Sequence, residues 1–337
     1  MKIEQNISLK KYNTFGIDVS AKYFCEVKTI EDVQTLISSD VFQTNSRLIL
    51  GGGANILFTK EFDGLVIKPA IKGIEVVSET ENEVLVKAFS GENWHDFVVN
   101  CCENRWNGLE NLAHIPGTVG ASPIQNIGAY GVEIKDVMDS LEAFNLETRQ
   151  IEIFSNLDCR FDYRESVFKN EYKGKYMILS VTFRLSKNPK FNTDYVAISN
   201  ELSHMGISDL SAKDIVTAIQ NIRNSKFSDF SEMGTAGCFY KNPTVSNEVF
   251  QSLKNQYPNI VAYLANFGVK LSAGWLIEHA GWKSFRDGDA GVHSEHALVL
   301  VNYGNATGTE VLSLSRRIID SVNAKFGVAL TPEVNIL

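Results

Sequence analysis

At 337 residues the chain is too long for one compact core, and at roughly 100–200 residues per domain two or three domains are expected. Hydrophobic residues make up 44% and charged residues 21%, with 20 Phe and 11 Tyr, which excludes disorder for the bulk of the chain. Acidic residues outnumber basic ones, 40 to 32, and the net charge of −8 argues against a dominant surface for nucleic acid or membrane.

No apolar stretch approaches the roughly 18 residues that span a bilayer. The opening MKIEQNISLKKYN has no apolar segment before a small-residue cleavage site, so no signal peptide is expected. Cysteines stand at Cys25, Cys101, Cys102, Cys159 and Cys238, an odd count without CxxC or Cys/His spacing. A reduced, cytoplasmic protein without a structural metal is the expectation.

Strand-like runs of β-branched and aromatic residues occupy 47–50, 65–67 and 84–89. The segment 93–102 switches period: Trp94, Phe97, Val98, Cys101 and Cys102 recur at helical spacing, which places the vicinal cysteines on a buried stripe rather than in a redox pair. Further strands are expected at 140–146, 150–154 and 177–185. After Ser211 helical periodicity dominates, at 212–225, 247–257, 273–279 and 310–326, with a short strand at 298–301. Thr307 and Glu310 have the spacing of a capping box for the last helix. The pattern predicts a strand-rich body to about residue 215, then a smaller mixed α/β domain, with a C-terminal strand that returns to the body.

Two segments are unusual in glycine. A strand runs into Gly51, Gly52, Gly53, Ala54 and Asn55, where the absence of Cβ atoms lets backbone N–H groups approach a phosphate. Neither the Rossmann fingerprint nor a P-loop fits, and a tight turn is the alternative. The segment from Pro116 to Gly131 carries Gly117, Thr118, Gly120, Ala121, Gln125, Gly128 and Tyr130, with no charge between His114 and Glu133. So small and uncharged a stretch suits close wrapping of a flat or pyrophosphate-bearing ligand, or an irregular connection packed under other elements.

Polar clusters are scattered along the rest. Tyr163, Arg164, Glu165 and Ser166 precede a strand. Arg223 and Lys226 lie three apart on one helix face. Cys238 sits in a second Gly-rich turn, and Glu333 follows Pro332. His279, His293 and His296 show no metal-ligand spacing. Taken singly, each cluster also reads as a turn or a solvated surface.

Together these strings resemble the UDP-N-acetylenolpyruvoylglucosamine reductase family, the MurB enzymes of bacterial peptidoglycan synthesis. The likeness runs through NTFG at 13–16, GGGANILF at 51–58, SGENWHDFV from Ser90, and GLENLAHIPGTVGASPIQNIGAYGVE at 108–133. It continues with YRES at 163–166, AGCFYKNP at 236–243, KLSAGWLIE at 270–278 and TPEV at 331–334, in the family's order and over nearly the whole chain. The tyrosine-bearing insertion near Tyr195 matches the longer, type I form.

The resemblance implies an α+β fold: an FAD-binding body of the p-cresol methylhydroxylase and vanillyl-alcohol oxidase type, built from two α/β subdomains, followed by an α/β substrate-binding domain. It divides the chain at 1–68 and 69–211 for the body, with 327–337 completing the first subdomain, and 212–326 for the substrate domain. It implies that NADPH reduces noncovalent FAD, which passes hydride to the enolpyruvyl group of UDP-N-acetylglucosamine enolpyruvate. UDP-N-acetylmuramate results, in service of cell-wall biogenesis, cell shape and division. The glycine segments fall at the flavin. Arg164, Cys238 and Glu333 match the catalytic positions, and Tyr163, Tyr195, Arg223, Lys226, Asn242 and Tyr263 the substrate positions. The UDP-sugar is then the one small-molecule partner of a monomer.

Hydride arriving at C3 of the enol ether leaves negative charge at C2, spread onto the carboxylate as an enolate, so a site must stabilise that charge and protonate C2. Arg164 has the planar fork for a carboxylate or enolate. Glu333 can donate to the enolate if protonated, or orient the arginine or a water if ionised. Cys238 stands where the family pattern has serine; a thiol near pKa 8.5 is a far stronger acid than an alkyl hydroxyl, and also a nucleophile open to oxidation. Asn335 replaces an arginine that often follows PEV, and Glu295 and His296 stand where a glutamine contact is expected. A flavin oxidase of the same superfamily is the competing reading, since it shares the body without needing Cys238, Glu333 and Lys226 together.

Overall fold

The computed structural model describes residues 1–227, 233–264 and 267–337. The chain divides into two compact units, the first comprising Met1–Ile7, Ala21–Gly52 and Asp63–Ser228 and the second Ser8–Ser20, Gly53–Phe62 and Asp229–Leu337.

The first unit holds two sheets. Four strands are ordered Ile3–Ser8, Ser20–Val27, Phe62–Pro69, Ser46–Ile49, and five are ordered Ile151–Ser155, Met138–Asn145, Tyr176–Ser186, Glu83–Phe89, Ile74–Glu79. All pairings within the larger sheet are antiparallel. Its central strand reads as an almost unbroken apolar run because both its faces are covered. Ile178, Val181, Phe183 and Leu185 join Trp94, Phe97, Val98 and Cys101 of helix Trp94–Glu103. Met177 and Leu179, facing the other way, join Val33, Leu36, Phe42, Leu65 and Ile67. Trp94, Phe97 and Phe183 pack with ring centroids 5.0–6.0 Å apart, and at roughly 1.5–3 kcal/mol per buried large apolar side chain this cluster anchors the unit. Cys101 and Cys102 are buried on that stripe, as the spacing predicts.

The second unit carries a four-stranded sheet ordered Gly234–Cys238, Val299–Asn302, Ala290–Val292, Arg286–Asp287, and a three-stranded one ordered Thr244–Val245, Val269–Leu271, Ala262–Leu264. Helix Gly308–Phe326 buries Val311, Leu314, Ile318, Val322 and Phe326, and Thr307 and Glu310 form the expected capping box. No helix among the described residues is long and apolar enough to cross a membrane.

Two elements near the expected boundaries fall in these units as follows. Helix Ala212–Phe227, expected to open the C-terminal domain, belongs to the first unit. Its Ile215, Ile219 and Ile222 bury against Ile198 of helix Val196–Met205, an element the periodicity does not reveal. The C-terminal strand Asn335–Ile336 pairs in parallel with Ile56–Leu57, within 1–68, and both strands lie in the second compact unit.

Candidate active site

In the second unit four distant stretches of sequence converge. Asn13 is buried, its side chain donating to Leu9 O at 2.7 Å and Ile17 O at 3.0 Å and accepting from the Ile17 N–H at 3.0 Å, which closes the turn that carries Thr14 and Phe15. Thr14 N–H then bonds Gly53 O at 3.0 Å, and Thr14 O accepts from Thr235 N–H at 2.9 Å. Glycine is required twice here: a Cβ at Gly53 would lie 2.0 Å from Tyr12 O, and one at Gly234 would lie 2.0 Å from Phe15 O. The NTFG string, which sequence reading matched without giving it a role, thus links the 53–55 loop to the strand ending at Cys238, with Asn13 and Phe15 buried and Thr14 exposed.

Cys238 is exposed at the end of that strand, opposite Val299 across a register shift. Just beyond it, Phe239 O accepts the Glu333 N–H at 2.8 Å, Tyr240 bridges Pro332, and Thr331 O accepts the Lys241 N–H at 2.9 Å. Asn55 Nδ2 donates to Glu333 O at 3.5 Å, and Asn55 O accepts from Asn335 through both its main-chain N–H and its Nδ2, each at 3.1 Å. Asn335, flagged as a departure, therefore ties the last strand to the glycine loop. The main chain of Glu333 is thus bonded on one side to Phe239, next to Cys238, and on the other to the Asn55 side chain.

Asn242 uses its Oδ1 to accept the Ala273 N–H at 2.9 Å at the start of helix Ala273–His279, which leaves the NH2 end as its donor group. Tyr263 is half exposed on the strand Ala262–Leu264, directly across from Lys270, which is itself across from Thr244. Lys270 was not singled out by sequence, since a lysine in a short strand looks like ordinary surface; only the register shows that it neighbours Tyr263.

In the first unit the two glycine-rich segments meet. A Cβ at Gly52 would lie 2.7 Å from Gly117 Cα, and one at Gly51 would lie 3.0 Å from both Ala121 Cβ and Thr118 Oγ1. Gly117, at φ +135°, would instead project a Cβ into open space. The N–H groups of Val119, Gly120 and Ala121 are occupied by the carbonyls of Glu92, Ser90 and Thr118, at 2.9, 3.0 and 3.0 Å. Several glycines thus serve backbone-to-backbone approach, and Gly117 is the one set against an open cradle. Such a cradle, formed by two small, uncharged segments in contact, fits a pyrophosphate-bearing cofactor.

The remaining residues of the first unit cluster about the same segment. Arg164 adopts φ +57° and donates through Nη2 to Gly128 O at 2.7 Å and through Nη1 to Asn126 O at 3.4 Å, with its guanidinium 5.5 Å from the Tyr163 ring centroid. The turn is stapled by Ser166 Oγ to Ile124 O at 2.7 Å and by Asn126 Nδ2 to Asp162 O at 3.0 Å. Asn126 is fully buried at φ +45°, a conformation asparagine tolerates better than most residues. Gln125 ends the 3-10 turn Val119–Gln125 just before it. Tyr195 meets Tyr130 edge to face, ring centroids 5.3 Å apart.

Arg223 donates through Nη1 to His114 O at 2.5 Å, and His114 stacks on His95 with centroids 3.9 Å apart. Burial, then the neighbouring His95 and Arg223, push the His114 imidazole down to about 4. Lys226 lies on helix Ala212–Phe227, but its side chain falls outside the described residues. Arg164, Tyr163, Tyr195, Arg223, Gly51, Gly52 and the 117–131 segment are thus in the first unit, and Gly53, Ala54, Asn55, Cys238, Asn242, Tyr263 and Glu333 in the second.

Two family models match the chain, an FAD binding domain over residues 21–152 and the UDP-N-acetylenolpyruvoylglucosamine reductase C-terminal domain over 229–337. The chain is 46% identical over 339 residues to the UDP-N-acetylenolpyruvoylglucosamine reductase of Flavobacterium johnsoniae, covering 100% of both chains. It is 47% identical over 338 residues to that of Amoebophilus asiaticus, again covering 100% of both. The crystal structure of MurB from Thermus caldophilus superposes with a TM-score of 0.70 at 22% identity, covering 100% of this chain and 99% of that one, which speaks to the fold.

Proposed function

Since the chain belongs to the UDP-N-acetylenolpyruvoylglucosamine reductase family, a family of flavin-dependent oxidoreductases of peptidoglycan synthesis, we propose that NADPH is its hydride source, that FAD is held without a covalent bond, and that Arg164, Cys238 and Glu333 carry the chemistry. The protein acts in the cytoplasm as a monomer on a UDP-sugar. The single observation that supports this best is the 2.8 Å bond from Glu333 N–H to Phe239 O, which holds the carboxyl-bearing residue beside the neighbour of Cys238.

Bound FAD supplies a relay that takes hydride from NADPH and gives it to C3 of the enolpyruvyl group. This chain's own residues handle the charge that follows. The Arg164 guanidinium, held by Gly128 O and Asn126 O, brings its planar fork and positive charge to the substrate carboxylate and the enolate oxygen. Cys238 Sγ–H delivers the proton to C2, and the thiolate is reprotonated from solvent before the next turnover. Glu333 supports the enolate. NADPH, one proton and the enolpyruvyl sugar nucleotide thus become NADP+ and UDP-N-acetylmuramate. Tyr163, Tyr195, Arg223, Lys226, Asn242 and Tyr263 hold the nucleotide diphosphate and sugar. The cradle at Gly51–Asn55 and at Gly117, Thr118, Gly120, Ala121, Gln125, Gly128, Tyr130 and Gly131 holds the cofactor.

Anaerobic NADPH oxidation, with and without UDP-N-acetylglucosamine enolpyruvate, tests the proposal. Turnover only in the presence of the sugar nucleotide is the expected result. A flavin reduced once by NADPH and reoxidised by oxygen but not by the sugar nucleotide would sink it.

A further inference from the structure

Asn111 is only 1% exposed, in the short 3-10 turn Glu110–Leu112. Its side-chain amide donates to two main-chain carbonyls, Asn192 O at 2.9 Å and Tyr130 O at 3.1 Å. A buried amide with both N–H groups engaged is a fixed strut, because freeing it leaves unpaired polar atoms away from water. The two carbonyls belong to loops far apart in the chain. Tyr130 sits at φ +49°, a conformation tyrosine seldom adopts. Asn192 adds a bond of its own from Nδ2 to Gly131 O at 3.4 Å, and its Oδ1 accepts the Asp194 N–H at 3.3 Å. The next residue is Tyr195, whose ring stands at 85° to that of Tyr130.

We infer that Asn111 is a positioning residue for substrate: it joins the 130–131 turn to the 192–195 loop and thereby sets the Tyr195 ring before the ligand arrives. The inference rests on the reading of Tyr195 as a substrate contact. A tyrosine that is half exposed at the start of a surface helix loses loop and rotamer freedom when it grips a ligand, and a pre-formed tether removes much of that loss. The effect belongs in substrate binding and not in the reaction of NADPH with the flavin.

The test uses the flavin-loaded protein and Asn111→Asp, which keeps the volume but turns an acceptor toward both carbonyls, with Asn192→Ala as a milder variant at a partly exposed site. KM for the enolpyruvyl sugar nucleotide is expected to rise about tenfold or more in Asn111→Asp and a few-fold in Asn192→Ala, while single-turnover flavin reduction by NADPH holds its rate. Amide hydrogen exchange is expected to quicken over residues 192–198 and to stay as it was in the central sheet strands. In a Tyr195→Ala background the Asn111→Asp change is expected to add nothing further to KM. Full additivity in that background, or unchanged exchange at 192–198, overturns the inference. So does an equal loss of flavin affinity and flavin reduction, which marks Asn111 as a support of the cofactor loop alone. If Tyr195→Ala raises KM and neither asparagine variant does, the tether fails and the Tyr195 reading stands. If Tyr195→Ala leaves KM unmoved, that reading fails and the inference with it.

Discussion

Glu333 donates its backbone N–H to Phe239 O at 2.8 Å, so the residue that follows Cys238 is locked to the segment just before the C-terminal strand. The lock fixes where the backbone of Cys238 sits, and the exposed thiol is then the variable part of the site. Cys238→Ser is expected to retain substantial activity, since a hydroxyl keeps a proton at nearly the same place. Cys238→Ala is expected to lose product formation on the order of a hundredfold to ten-thousandfold, the usual worth of a general acid. Stopped-flow measurement of the two half-reactions checks the assignment: flavin reduction by NADPH survives in the alanine variant, and equal loss of both halves refutes the donor role.

The second prediction concerns Arg164, whose Nη2 donates to Gly128 O at 2.7 Å. A Cβ at Gly128 would lie 2.9 Å from Arg164 Nη1 and 2.8 Å from Glu133 Cγ. With Val132 O also 2.9 Å away, Gly128→Ala crowds both the guanidinium and the 132–133 backbone, and a drop of about tenfold in kcat is expected. Arg164→Lys removes the planar fork and is expected to cost about a hundredfold. Arg164→Lys leaves flavin reduction by NADPH intact, and flavin titration of Gly128→Ala shows how much of its loss comes from the cofactor segment. Wild-type turnover in Arg164→Lys would end the enolate-stabilising role.

The glycine segments give a paired prediction. Gly52→Ala puts a Cβ 2.7 Å from Gly117 Cα, a backbone atom with nowhere to swing, and about 1–3 kcal/mol of stability is expected to go. Gly117→Ala meets no neighbour, but φ +135° strains any L side chain and the Cβ enters the open cradle. Denaturation of flavin-free protein, together with flavin titration, separates the two. Gly52→Ala lowers the midpoint of the flavin-free form, and Gly117→Ala weakens flavin binding most. Full flavin affinity in Gly117→Ala counts against the cradle.

How much of this was legible beforehand depends on whether the cause is local. Trp94, Phe97 and Cys101 announce their helix because its spacing is set by one buried face. The capping box at Thr307 and Glu310 is likewise a four-residue signal. Helix Val196–Met205 is not legible, because Ile198 is its one fully buried residue and the partner Ile215 lies in another helix. The texture of the sequence changes at Ser211, but the packing of Ala212–Phe227 against Ile198 is decided by a neighbour and is not legible there. Within the site, resemblance located Cys238 and Glu333, but the roles of Asn13, Asn111 and Asn126 are three-dimensional. Each is a buried amide bonding carbonyls or N–H groups that turns bring together, and nothing in spacing distinguishes such an asparagine from one on a surface loop.

The last prediction is a pH dependence of stability at His114. Burial, and then the positive neighbours His95 and Arg223, disfavour the imidazolium and hold its pKa at about 4 in the folded protein, against about 6.5 in an unfolded chain. A depressed base binds its proton at higher pH in the unfolded state, so the unfolded state holds more protons between about 6.5 and about 4, and stability falls as pH drops through that window. Above about 6.5 both states are neutral at this residue and its contribution is flat. Allowing for partial solvent screening, the loss is on the order of 2 kcal/mol by pH 4. His114→Gln keeps a polar side chain but has nothing to titrate, so its stability curve is expected to be flatter than wild type between pH 4 and 6.5 and parallel to it above pH 7. Guanidinium denaturation at half-unit steps of pH measures the difference. Parallel curves across the whole range would mean that His114 titrates alike in the folded and unfolded states, and the depressed pKa would fall.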